Sequence, residues 1–192
     1  MQYITCVFSF GVAKNILFNI SKSSCLRIGN CIREKYCKFY VGNVQLNWST
    51  SIKYLGIHFS AGNALRIDVS NTKRRFYDSC NSILNKFKYV NEDVKLHLVK
   101  SFCSPLLTYS IGALSLTNQN FRDLAVCWND AFRKIFNFKR WDSVKDLQFF
   151  FHELPFEQLY DYFRWKFLSA TIHCSQSTIL LHDLVSMEHR TI

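Results

Sequence analysis

The sequence predicts an α+β fold: a small, mainly antiparallel sheet followed by an all-helical region. Three observations lead there. Through about residue 60 the apolar residues come in short runs broken by turn residues such as Gly29-Asn30 and Gly42-Asn43. From about Val69 the apolar period becomes helical, with Phe76, Cys80, Ile83, Leu84 and Phe87 on one face. The chain holds 18 Phe, 9 Tyr and 4 Trp against 6 Gly and 2 Pro, a composition that favours regular structure over disorder. The expected division is a sheet region over residues 1–62 and a helical region over residues 63–192.

Taken in order, residues 1–14 read as the end of a helix, with Gly11 placed to stop it. Residues 16–20 and 25–28 read as short strands. Gly42-Asn43, flanked by residues 39–41 and 44–46, is a two-residue hairpin signal. Residues 52–59 read as the last strand, and Gly56 inside it marks a bulge or the close approach of another backbone. The first long helix then runs to Lys86 and Lys88, cations that suit a helix C-terminus. Asn91, Glu92 and Asp93 form a cap with an acidic first turn, and Val94, Leu98, Val99, Phe102 and Cys103 make the face behind it. Pro105 kinks or ends that helix. A third helix, capped near Asn118, presents Phe121, Leu124, Ala125, Trp128, Ala131, Phe132, Ile135 and Phe136, the cleanest periodicity in the chain. Asp142 or Ser143 caps a fourth, with Leu147, Phe150 and Phe151 inward. Pro155 opens a fifth, with Phe156, Leu159, Tyr160, Phe163 and Phe167 inward. Trp141 and Trp165 fall off these faces and are candidates for contact with a partner.

The net charge is +10, and it is unevenly spread. Residues 1–90 carry 13 Lys and Arg against 3 Asp and Glu, whereas residues 91–192 carry 11 of each. A basic half beside a neutral half is a footprint for phosphates; the alternative is a solvated basic surface with no ligand. The run Lys73-Arg74-Arg75 lies near a helix start, where the dipole disfavours cations, so it either meets an external anion or is a solvated face.

The eight cysteines include no pair with zinc-knuckle or redox spacing, and Cys80, Cys103 and Cys127 fall on apolar helix faces. They read as reduced thiols of an intracellular protein, in the nucleus or the cytoplasm. Residues 101–121 lack charge, but Pro105 and the many Ser, Thr, Asn and Gln argue against a membrane span. A soluble chain without a membrane partner is expected. The six histidines are scattered, and neither a phosphate-binding glycine loop nor a nucleophile elbow occurs. Two-metal nucleotidyl transfer needs clustered carboxylates. Glu34, Asp68 and Asp78 are the whole acidic complement of the first 90 residues, so no such site is built here and no cofactor is expected on this chain.

Four segments together resemble one family. Residues 15–23 resemble the palm motif that follows the catalytic strand of reverse transcriptases, and residues 52–57 resemble their primer grip. Residues 98–109 are similar to the thumb helix of non-LTR retrotransposon enzymes, and residues 127–136 to the helix after it. The resemblance implies a partial palm followed by a thumb, with an RNA template and a DNA primer as partners. It implies that Lys22 is a general acid toward the leaving pyrophosphate; as an unaided residue it is a turn lysine. Tyr54, Leu55 and Gly56 would hold the primer end, and Lys73, Arg74 and Arg75 the duplex backbone. One departure matters. The family's metal-holding Asp-Asp pair, expected just before residue 1 along with the rest of the palm and the fingers, occurs nowhere in this chain. Mg2+ is therefore expected only in an intact parent enzyme, and the isolated chain is not expected to polymerise. A non-catalytic nucleic-acid-binding protein and a helical protein-interaction domain are the alternatives.

Overall fold

The computed structural model describes residues 19–29, 38–41 and 44–173. Expectations for the first helix, for residues 16–18, for the Gly42-Asn43 turn and for the tail after residue 173 lie outside the described residues. The chain divides into two compact units, residues 1–68 and 69–192, a mixed architecture of short strands and then helices.

Among its described residues the first unit has seven short strands: β1 (Ser24–Leu26), β2 (Tyr40–Val41), β3 (Val44–Gln45), β4 (Asn47–Ser49), β5 (Ser51–Tyr54), β6 (Ile57–Ser60) and β7 (Arg66–Asp68). β2 and β3 pair antiparallel as the turn signal predicts, with Tyr40 opposite Gln45. β1 and β4 pair parallel, placing Cys25 opposite Trp48. β5, β6 and β7 form an antiparallel meander. Among the described residues of this unit only Leu46 is buried, and Phe39 packs on Trp48 with ring centroids 5.3 Å apart.

Two strand expectations need correction. Ile20 belongs to a single 3-10 turn, Ile20–Lys22, because Asn19 caps it by accepting from the Lys22 amide. Residues 52–59 are a hairpin rather than one strand. Tyr54 pairs with Ile57 across Leu55-Gly56, whose φ values are 47° and 83°. Positive φ at both central residues is the type I′ turn, whose twist matches the flanking strands. Gly56 is thus a turn glycine, and β7 is the last strand of the unit.

The second unit contains α1 (Ser70–Lys86), α2 (Glu92–Phe102), α3 (Ser104–Thr108), α4 (Asn118–Phe136), α5 (Lys145–Phe150) and α6 (Phe156–His173). Asn91 caps α2 and Thr117 caps α4. α4 is the central element: Leu124, Ala125, Trp128, Ala131, Phe132 and Ile135 are buried, as its periodicity predicts. Phe76 and Cys80 of α1, Leu96, Val99 and Cys103 around α2, and Phe156 of α6 also belong to the core. The Trp128 indole donates to the Leu154 carbonyl at 3.1 Å and meets Phe132 edge to face at 5.2 Å. Tyr160 donates to the Leu114 carbonyl, and its ring lies 5.4 Å from that of Phe121.

Two faces are rotated from expectation. In α2, Leu96 points inward while Val94 and Phe102 are exposed, because the chain breaks at Cys103 and α3 begins at Ser104 with Pro105 in its first turn. In α5, the buried side chain is Gln148, which donates to Asn129 at 3.0 Å, and Phe150 is exposed. Val144 fills the core just ahead of α5, in the place expected for a cap from Asp142 or Ser143. Among the described residues no helix is long and apolar enough to cross a membrane.

Candidate nucleic-acid interface

The expected site residues fall into three places. Lys22 closes the 3-10 turn, with its side chain exposed. Tyr54 and Leu55 are 63% and 68% exposed at the tip of the β5–β6 hairpin, next to Gly56. Lys73, Arg74 and Arg75 lie in the first turns of α1. These sites are distributed over both compact units, and each is described within its own.

The hairpin tip is unusual in one respect. A type I′ turn accepts Asn, Asp or Gly at its first position with little strain, and this chain has Leu there. For an L-residue with a Cβ, left-handed backbone costs roughly 1–2 kcal/mol. The turn therefore holds a bulky apolar side chain in solvent at an energetic cost.

The basic run of α1 splits by geometry. Lys73 Nζ lies 2.7 Å from Asp123 of α4, and this hydrogen bond is the main reason the Asp123 carboxyl titrates below its usual range. Arg74 donates to Asn71 at 3.2 Å, one turn back on the same helix. Both arginines are exposed.

The α1–α4 seam continues as a polar ladder. Tyr77 donates to Asp130 at 2.9 Å, and burial pushes its phenol well above the normal range. Lys134 reaches Asn81 at 2.9 Å and lies 5.0 Å over the Tyr77 ring. Cys80, Cys103 and Cys127 are buried nearby; desolvation raises all three thiols, that of Cys103 to about 12, so they behave as small apolar groups.

At the end of this seam is a groove of about 1000 Å³ lined by Asn81, Asn85, Lys134, Arg140 and Trp141, among others. Sequence reasoning flagged only Trp141 here. The available signal was a basic–aromatic run, Lys139-Arg140-Trp141, directly after the C-terminus of α4. The opposite wall, Asn81, Leu84 and Asn85 of α1, comes from residues about 55 positions earlier and so leaves no local pattern.

Clustered carboxylates are what a catalytic metal pair requires. Among the described residues, no group of three or more His, Cys, Asp or Glu is placed to hold a metal. Comparison with protein-family models, curated proteins and solved structures finds no match to this chain.

Proposed function

We propose that the chain is the C-terminal part, distal palm and thumb, of a reverse transcriptase of the non-LTR retrotransposon type. In this reading it supplies primer-grip and thumb contacts to a template–primer and is inactive alone. The order and spacing of the four motif segments support the reading. The observation that carries it is the hairpin tip, where Tyr54 and Leu55 are exposed and Leu55 is held at φ 47°. Strain kept at an exposed position points to a role for that position. A primer grip needs such a tip: a short turn that projects apolar side chains against the sugars and base edge of a strand end.

Arg74 and Arg75, exposed on α1, supply sequence-independent attraction for backbone phosphates. Lys73 contributes less, because Asp123 already neutralises it. Lys22 would act as a general acid only when a nucleotide is placed against it by the rest of the polymerase.

Binding of an RNA–DNA hybrid, titrated against salt, tests the reading. Log affinity is expected to fall linearly with log salt, and Arg74→Ala with Arg75→Ala to flatten the slope by about one to two units. Primer extension by the purified chain with magnesium or manganese is expected to give no product, since no Asp-Asp pair is present. Template-dependent extension would refute the inactive reading. A second reading, a helical protein-interaction domain, is favoured by Phe149 and Phe150, which are 83% and 73% exposed side by side on α5. That reading predicts no hybrid binding at any salt concentration.

A further inference from the structure

The groove at the C-terminal end of the α1–α4 seam has the chemistry of a nucleotide pocket. Its lining carries three cations, Arg133, Lys134 and Arg140, against one carboxylate, Asp130. That carboxylate is already engaged by Tyr77 at 2.9 Å and by Arg133 at 2.9 Å. The positive excess is therefore presented by Lys134 and Arg140. Two amides, Asn81 and Asn85, lie one helical turn apart on α1 and line the same groove. A groove of about 1000 Å³ has room for a nucleotide, since small-ligand sites run from roughly 300 to 1,000 Å³.

What marks this surface as built is the turn that carries Arg140 and Trp141. Residues 139–142 form a β-turn closed by the Asp142 amide donating to the Lys139 carbonyl at 3.1 Å. The Asp142 carboxylate accepts from the Lys139 amide at 2.7 Å, locking the turn a second time. Arg133 Nε donates to the Asp142 carbonyl at 3.1 Å and ties the turn to α4. Arg140 and Trp141 occupy the two central positions. The Arg140 guanidinium lies 5.3 Å over the indole, and Trp141 is 87% exposed, so the other face of its ring is open to solvent. A tryptophan held open by a rigid turn, with a guanidinium behind it, is a stacking platform that loses little entropy on binding.

We propose that this groove binds a segment of single-stranded nucleic acid, one base stacking on Trp141 and the adjoining phosphate held by Arg140 and Lys134. Stacking is indifferent to base identity because every base has a π-face, so the site is a strand holder without a sequence code. It has the same ligand class as the function proposed above but uses none of the residues invoked there.

Fluorescence anisotropy of a short labelled oligo(dT) strand with the full chain tests the site. Trp141→Ala is expected to weaken binding about tenfold or more, whereas Trp141→Phe, which keeps a ring, stays within about threefold of the parent. Arg140→Ala is expected to weaken binding and to flatten its salt dependence by about one unit. The side chains altered are exposed, and circular dichroism checks that each variant folds. Failure of the parent chain to bind oligo(dT), or equal affinity in parent, Trp141→Ala and Arg140→Ala, overturns the proposal. Hybrid binding that depends on Arg74 and Arg75 while oligo(dT) does not bind overturns the groove alone and leaves the primer-grip reading standing.

Discussion

Gly112 lies directly against the backbone carbonyl of Phe163. A methyl group in place of its hydrogen would stand 2.8 Å from the Phe163 carbonyl carbon and 3.2 Å from Cβ of Phe167. The first atom belongs to the α6 backbone and cannot rotate away. Gly112 is therefore the point at which the 3-10 turn Ile111–Ala113 docks against α6.

Gly112→Ala is accordingly expected to destabilise the helical unit by about 1–3 kcal/mol, the usual cost of overpacking a tight contact. The smaller entropic gain of removing a glycine does not offset it. Urea denaturation with the helical signal as readout checks this; a variant as stable as the parent would show that α6 docks elsewhere.

Leu55→Asn separates strain from contact at the hairpin tip. Asn tolerates left-handed backbone and makes the preferred Asn-Gly pair, so the hairpin is expected to gain about 1 kcal/mol. Hybrid affinity is expected to fall in the same variant because the apolar side chain is lost. Amide exchange at residues 54–57 and a binding titration read the two effects independently. A rise in protection without a fall in affinity would remove Leu55 from the interface.

The Lys73–Asp123 pair has a defined pH signature. Its hydrogen bond lowers the Asp123 carboxyl below the unfolded-state value near 3.9, so the folded form binds that proton less readily than the unfolded form. The contribution is fully present above the unfolded value and disappears as pH falls through the lower, folded one. Both side chains are about a third exposed, so the pair is worth under about 1 kcal/mol. The stability difference between parent and Asp123→Asn is expected to be flat near neutrality and to vanish in acid. A difference that persists at low pH would mean that the aspartate acts through packing.

Much of the fold was legible in the residues because it is set locally. The α4 face is readable because seven buried positions recur at helical spacing on one uninterrupted element. Asn91 is readable as a cap because capping involves an amide two residues away. The antiparallel pairing of Tyr40 with Gln45 agrees with the hairpin that the sequence predicts there. The β5–β6 hairpin was missed because a Leu-Gly pair is a poor turn signal inside an apolar run, and only cross-strand pairing of Tyr54 with Ile57 overrides it. The spacing of Val94 and Phe102 predicts an inward face for both. The break at Cys103 and the seating of Leu96 turn α2 the other way, which no local window contains.

From composition and periodicity alone follow the mixed class, the helical second half, the excess of positive charge in the first and the absence of an Asp-Asp pair. Tertiary structure alone decided that Lys73 is tied to Asp123 while Arg74 and Arg75 are exposed, and that Asn81, Lys134, Arg140 and Trp141 share one groove. The physical reason is range. Capping and amphipathicity act over a few residues and leave a written pattern. Ion pairs and grooves join residues some fifty positions apart, whose proximity exists only once the helices have packed.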